Sequence, residues 1–290
     1  MELHKPVMLN EVLAVLQPAL GQSYLDLTAG YAGHAGAILG LTENYKHSVL
    51  VDRDECAISH LKPFGEKGTD LIRSDFYGAA LKLLECGKKF DMILMDLGVS
   101  SPQFDLKERG FSFAKDGKLD MRMDSSQDLT AEEVVNHFPK QKLVDIFVKY
   151  GEEKPKFATK VVEEILRKRP ISGTIELAEL IKSKTHLYQK THPATQIFQA
   201  LRIFVNDEIG ELEKTLPLVP ELLERGGRVA IISFHSLEDR IVKEFLKTEH
   251  ARGLEARLKI LNKTPIVASE NEISSNLRAR SAKLRAATRI

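Results

Sequence analysis

Residues 24–36 read Tyr-Leu-Asp-Leu-Thr-Ala-Gly-Tyr-Ala-Gly-His-Ala-Gly, and the architecture of the chain is set here. A short apolar run enters a turn with glycines at 30, 33 and 36 and leaves as a helix candidate, Ala35–Leu41. Glycine lets a backbone turn tightly and approach a ligand without a Cβ in the way. A helix that starts at such a turn offers N–H groups with no partner in its own ladder. Spaced glycines after a strand also arise as plain tight turns. The stretch alone suggests a nucleotide turn and no more.

Outward from it, short apolar runs alternate with amphipathic stretches. His47–Asp52 (HSVLVD) is β-branched and ends in an acid; Asp70–Arg73 and Asp91–Leu97 (DMILMDL) follow, with helix candidates Glu55–Leu61 and Gly78–Cys86 between them. Such alternation predicts a doubly wound α/β sheet with helices on both faces, whose ligands bind at the carboxyl ends of the strands. From about Leu106 to Asn206 no buried-strand run occurs. Thr130-x-x-Glu133 reads as a capping box, and Leu143, Ile146, Phe147 and Tyr150 share a helical face that stops at Gly151. Pro155, Thr174 and Pro193 open further amphipathic helices. After Asp207 the alternation resumes, and Gly226-Gly227 turns into the strand run Arg228–Phe234. The expected organisation is a discontinuous α/β domain, residues 1–105 and 207–290, split by an all-helical domain, residues 106–206.

The bulk properties exclude several classes. At 43% hydrophobic and 29% charged, the 290 residues suit a globular protein with a sizeable core. A net charge of +1 means that any nucleic-acid surface must be local. Cys56 and Cys86 stand alone, which argues against a disulfide framework or a metal site and for a reducing compartment. The first twenty residues carry a proline and charges early, unlike a signal peptide, and no apolar run approaches the roughly 18 residues of a membrane span. A cytoplasmic protein with no membrane partner is expected.

Asp52 raises the odds of a nucleotide site. It ends the strand after the glycine turn, about 20 residues on, where an acid accepts hydrogen bonds from ribose hydroxyls. That placement suits NAD and S-adenosylmethionine alike, but the glycine spacing departs from G-x-G-x-x-G. Asp26 can face a ligand ammonium, which S-adenosylmethionine has and NAD lacks. Both acids can also be turn caps. Phe76, after the third strand, either lines an adenine pocket or packs in the core. The fourth strand ends in Asp96-Leu97-Gly98-Val99-Ser100-Ser101-Pro102-Gln103-Phe104, where the reacting centre is expected.

Together these residues resemble the bacterial S-adenosylmethionine-dependent methyltransferases that modify the exocyclic N4 of a cytidine in small-subunit (16S) ribosomal RNA. The resemblance spans the chain. It rests on His4-x-Pro6-Val7, the 26–34 turn, DLGVSSPQFD at 96–105, RGFSF at 109–113, LDMRMD at 119–124, and YGEE at 150–153. HPATQIFQALRIFVNDE at 192–208, SFHSLEDRIVK at 233–243 and RARSAKLRAATR at 278–289 complete it. It implies a Rossmann-like methyltransferase sheet with a helical insertion that recognises substrate. It implies cofactor contacts at Ala32, Gly33, His34, Asp52, Phe76, Asp96 and Gln103. The implied partner is 16S rRNA within the small subunit or its late precursor; a homodimer is left open. The family usually carries glycine at position 32 and a small residue at 31, where this chain has Ala32 and Tyr31.

A cytosine amine is a poor nucleophile, because its lone pair is delocalised into the ring. An acceptor near the amino hydrogens takes up the developing charge. Asp96 is the first choice for that catalytic role, although it can instead bind only the cofactor. Ser100, Ser101 and Phe104 are candidates to hold or stack the base, or else to form a turn. Arg122 is a phosphate contact or a salt bridge; His192 starts a helix or touches RNA. His235 is a substrate contact or a packed histidine beside a Ser236 helix cap. With Ser233 and Asp239 it also raises a hydrolase, which no G-x-S-x-G elbow supports. Arg278, Arg280, Lys283, Arg285 and Arg289 form a candidate phosphate stripe on a closing strand. A methyltransferase of another amine, a non-catalytic RNA-binding protein and a nicotinamide dehydrogenase remain competing readings.

Overall fold

The strand runs of the α/β half are apolar at successive positions because both faces of a parallel sheet are covered. The computed structural model describes residues 6–185, 192–251 and 253–290. His4 and the side chain of Ser101 lie outside what it describes. β1 (Tyr24–Asp26), β2 (Val49–Asp52), β3 (Asp70–Arg73), β4 (Phe90–Asp96) and β5 (Leu223–Ser233) run parallel. β6 (Leu258–Ile260), β7 (Ile266–Val267) and β8 (Lys283–Arg289) complete the sheet, in the order β3-β2-β1-β4-β5-β8-β6 with β7 paired to β8. β8 is antiparallel to its neighbours. This is a doubly wound, Rossmann-like sheet, as expected. Its order reverses between β1 and β4, the switch point above which such sheets bind ligands.

Alternation along β4 shows the two covered faces. Ile93 and Met95 enter one apolar cluster with Leu25, Val51 and Val229; Met92 and Leu94 enter the other with Tyr24, Leu50 and Ile232. Around the sheet lie α1 (Leu9–Leu16), α2 (Gly33–Thr42), α3 (Glu55–Glu66) and α4 (Phe76–Glu85). Then come the helices of the middle stretch: α5 (Ser101–Asp105), α6 (Ala131–His137), α7 (Lys140–Gly151), α8 (Pro155–Lys168), α9 (Thr174–Lys182) and α10 (Ala194–Asn206). The chain closes with α11 (Glu208–Thr215), α12 (Val219–Leu222), α13 (Ser236–His250) and α14 (Glu270–Ser275).

The chain divides into two units, Met1–Gly98 with Ile209–Ile290, and Val99–Glu208. The cut falls before Val99 rather than after Asp105, because Val99 and Phe104 pack against the helical core of Leu143, Phe147, Val161 and Leu201. The second unit has helices and an isolated bridge, Lys118 to Gly173, but no strand among its described residues. The Thr130 hydroxyl accepts the Glu133 N–H at the start of α6, as the capping pattern predicts.

Two expectations change. Gly226 is not the turn before a strand. β5 already starts at Leu223 and accommodates Gly226, at φ +82°, in a register shift against β4. β8 is also not an edge that displays its basic residues. It pairs on both sides and is covered on both faces, so Arg285 is only 6% exposed and its guanidinium is bound to Asp239, with Nε 2.7 Å from Oδ1. Lys283 reaches the same carboxylate, and Arg289 donates to the Leu223 carbonyl. The phosphate stripe therefore loses those three members. Arg278 and Arg280 remain exposed on the turn before β8.

Candidate active site

Three carboxylates stand at the carboxyl ends of β1, β2 and β4: Asp26, Asp52 and Asp96. The turn after β1 ties them together. Gly30 donates its N–H to Asp52 Oδ2 at 2.8 Å, and the Asp96 N–H donates to Thr28 Oγ1 at 2.6 Å. Asp52 Oδ1 accepts from the Asp54 N–H. Each oxygen of Asp52 thus holds one backbone donor and keeps a lone pair for a second, the capacity a vicinal diol needs. Burial pushes its carboxyl up to about 6 against the opposing pull of those two donors.

Asp26 corrects the expectation that it faces a ligand ammonium. It is 1% exposed, and the donors that reach its oxygens come from its own strand and turn: the Tyr24 hydroxyl donates to Oδ2 at 2.7 Å, and Thr28 donates to Oδ1. Residues i and i+2 of a strand share a face, so Tyr24 lies where it can close Asp26 from below. Burial raises the Asp26 carboxyl to about 6, and nearby Asp52 adds to the rise. Asp26 shapes the turn, and its charge bears on Asp96.

The turn itself is strained at one place. Ala32 sits at φ +65°, ψ +20°, the left-handed region that costs a non-glycine residue about 1–2 kcal/mol. The next residue must be small: a Cβ on Gly33 would lie 3.0 Å from Pro6 Cβ. His34 follows, buried in the first turn of α2. Its Nε2 donates to the Val7 carbonyl at 2.9 Å, and its Nδ1 lies 3.5 Å from Asp96 Oδ2. Tyr31 stacks obliquely near His60, at 5.2 Å between ring centroids.

Asp96 is the least satisfied of the three. Its side chain is 20% exposed, yet Oδ1 is buried with no hydrogen-bond partner among the described residues. Burial pushes its carboxyl well above the usual range, and the negative charges of Asp26 and Glu238 push the same way. No arginine or lysine pairs with Asp26 or Asp96 among the described residues. A buried carboxylate lacking a partner is costly unless a donor or cation arrives.

The remaining candidates separate. Phe76 opens α4, partly packed in the sheet's core, with the Arg53 guanidinium over its ring at 5.9 Å. His235, not Ser236, caps α13: its Nδ1 accepts the Glu238 N–H, while Glu238 Oε2 accepts the Phe234 and His235 N–H groups. His235 Nε2 lies 3.1 Å from Glu238 Oε1, close enough for an ion pair but poorly aligned for a hydrogen bond. The hydrolase reading fails here, since Asp239 is bound to Arg285 and Ser233 is a buried strand residue.

In the helical unit the motif side chains serve one another. Arg122 is fully engaged: it grips Asp120 through Nε and Nη2, at 2.9 and 2.8 Å, and donates to the carbonyls of Ser125 and Gln127. That withdraws it as a phosphate contact. Arg109 donates to the carbonyls of Arg122 and Met123. Gln103 is buried and its side-chain carbonyl accepts the Ser100 N–H, so both cap α5. Phe104 sits near Phe111, at 6.4 Å between ring centroids. His192 packs on Phe113 at 4.8 Å and accepts the Ala194 N–H, the helix-start reading.

A family model described as the MraW methylase family matches residues 1–290. The chain belongs to the MraW methylase family. It is 44% identical to Ribosomal RNA small subunit methyltransferase H of Rickettsia massiliae, over 99% of this chain and 98% of that one. Identity to the protein of the same name from Streptococcus equi is 43%, with the same coverage. Among solved structures, an rRNA methylase of Streptococcus thermophilus matches at a TM-score of 0.42 and 11% identity, covering 97% of this chain and 93% of that one. The methylase draws its methyl group from S-adenosylmethionine. Its residues suit such a ligand: an orphaned buried carboxylate oxygen and raised acids favour a cation, and Asp52 favours a diol.

Three links escaped the sequence reading: Tyr24 on Asp26, His34 on Asp96, and Glu238 behind Asp96. The first had a signal in the i, i+2 spacing. The His235-x-x-Glu238 spacing of a cap hinted at the third.

Proposed function

We propose that this methylase transfers the methyl group of S-adenosylmethionine to the exocyclic N4 of one cytidine in 16S rRNA. The substrate is the small ribosomal subunit or its late precursor, in the cytoplasm. The observation that carries the reading is the Asp96 carboxylate at the end of β4, part-exposed as a side chain and with a buried Oδ1 that has no partner among the described residues. An amine under methylation offers it an N–H and a growing positive charge. S-adenosylmethionine supplies the activated methyl group, so the chain's residues chiefly position and stabilise.

Asp52 holds the ribose, its carboxylate oriented by Gly30 and Asp54. The first helical bond of α2 runs from the Gly36 N–H to the Ala32 carbonyl, and the amide of Gly33 at the start of that helix faces an anion such as the amino-acid carboxylate. Phe76 flanks the base of the cofactor. The helical unit, Val99–Glu208, recognises RNA, with Ser100, Ser101, Phe104 and Gln103 on its first segment. Exposed Arg278 and Arg280 contact phosphate. No helix among the described residues is long and apolar enough to cross a membrane.

Labelled cofactor and undermodified small subunits provide the test. Label should appear on one cytidine, as N4-methylcytidine after digestion. Label on a uridine, on a cytidine ribose or on protein alone would refute the assignment.

A further inference from the structure

We propose that His34 is the positioning residue that keeps Asp96 ionised, so that the Asp96 carboxylate can accept the proton the substrate amine sheds on methylation. This rests on the amine-methylation reading above.

The geometry assigns the histidine nitrogens. Nε2 faces the Val7 carbonyl at 2.9 Å, and a carbonyl only accepts, so Nε2 carries hydrogen in either charge state. The other ring nitrogen, Nδ1, lies 3.5 Å from Asp96 Oδ2 and is the one that faces an acid. A bare Nδ1 and an ionised carboxylate would be two acceptors face to face. A proton held on the ring or on the acid turns that approach into an attraction.

The surroundings make its location matter. Tyr24 and Asp26 on β1 and Glu238 on α13, itself against His235, face this pair along with burial. Asp26, Glu238 and burial all favour a protonated Asp96, and the Tyr24 hydroxyl is committed to Asp26. His34 opposes them: its imidazolium stabilises the carboxylate from the side of Oδ2, while Oδ1 is buried with no partner among the described residues. An Asp96 that already holds a proton cannot accept another.

The step balances. The amine lone pair forms the bond to the methyl carbon, and the methyl–sulfur bond breaks with its pair remaining on sulfur. The methylated nitrogen is then cationic, and one of its hydrogens passes to the Asp96 carboxylate. The dyad afterwards loses that proton to solvent.

His34→Gln is the informative change, because the glutamine amide can still reach the Val7 carbonyl but has no titrating nitrogen. In single-turnover methylation of undermodified small subunits, the acidic limb of the rate should move up by about one pH unit. The rate at neutral pH should fall about tenfold and recover as pH rises, since one unit of proton affinity is a tenfold change in ionised fraction. Cofactor affinity, measured by calorimetry, should stay within about threefold, less than the loss of one good hydrogen bond. An unmoved limb, or an affinity loss with an unmoved rate, overturns the proposal.

A second readout needs no substrate and no folded variant of His34. Nitrogen NMR of the wild-type His34 ring should show Nε2 protonated throughout and Nδ1 titrating. Asp96→Asn should lower the Nδ1 midpoint by about one unit, the loss of a close carboxylate partner. An Nδ1 bare at every pH, or a midpoint indifferent to Asp96→Asn, sinks the pairing. A wild-type protein that shows this coupling but leaves small subunits unmethylated refutes the substrate reading and not the pair.

Discussion

The strand ends of the α/β unit and the motif loops of the helical unit are equally polar in sequence and opposite in structure. In the helical unit the polar groups satisfy one another. Arg122 holds Asp120 and two carbonyls, Arg109 holds two more, and buried Asn206 accepts the Met123 N–H and donates to the Met121 and Arg202 carbonyls. At the strand ends, Asp96 keeps an unpartnered buried oxygen, Asp52 is raised to about 6, and Ala32 is held in a left-handed conformation. Satisfied networks rigidify a fold, whereas unsatisfied acids and strain mark places where a ligand supplies the missing partner. Unusual polar motifs are thus of two kinds, and only partner accounting separates them.

Breaking the unsatisfied side should cost chemistry. Asp96→Asn keeps the size and removes the charge. It should slow single-turnover methylation by about 10²–10³, the usual effect of deleting one group aimed at developing charge. Cofactor affinity should change far less. A pure affinity loss would make Asp96 a binding residue.

Breaking the satisfied side should cost stability. Asn206→Ala strands the Met123 N–H and the Met121 carbonyl in the interior, for about 3 kcal/mol by urea unfolding. Cofactor binding should survive in whatever fraction stays folded. Undiminished stability with lost RNA affinity would turn the motif from structural to functional.

The raised acids sharpen the contrast through pH. Asp26 and Asp52 titrate near 6 in the fold, above the unfolded value of about 3.9. Their contribution to stability is therefore full below about pH 4 and lost as pH rises through about 6. A ligand that needs Asp52 ionised should bind more weakly below about 6 and release protons on binding there. Calorimetry in two buffers of different ionisation enthalpy checks this. Asp52→Ala should weaken cofactor binding by about 2 kcal/mol and flatten the pH dependence. Affinity indifferent to both would remove Asp52 from the ribose role.

The smallest effect concerns Ala32. Ala32→Gly relieves about 1–2 kcal/mol of left-handed strain and concedes about 0.4–1 kcal/mol of chain entropy. A net gain of about 0.5 kcal/mol in thermal unfolding is expected. A loss would mean that the Ala32 methyl packs usefully against the apolar cluster it borders.

Much of this was legible along the chain. The runs that end at Asp26, Asp52 and Asp96 became β1, β2 and β4, because apolar runs closed by turn residues can be buried only one way in a doubly wound sheet. Residues 106–206 were readable as helical from caps and 3.6-residue spacing, which are local signals. The departure at Ala32 was also visible, since it depended on residue type alone. Arg122, Arg285 and Asp26 were misjudged for a shared reason. A charged residue in a motif looks the same whether its partner is a ligand or another side chain, and Asp239 lies 46 residues from Arg285.

The sequence established the layered architecture, because periodicity, caps and turns are written within a few residues of one another, and its long motifs carried the family resemblance. Its glycine turn pointed to a nucleotide and Asp52 to a ribose. The protonation of that site belongs to the tertiary structure. Tyr24 closes Asp26 from its own strand, while His34 from α2 and Glu238 from α13 converge on Asp96 at the end of β4. Charge and desolvation act through space, so no reading along the chain supplies them.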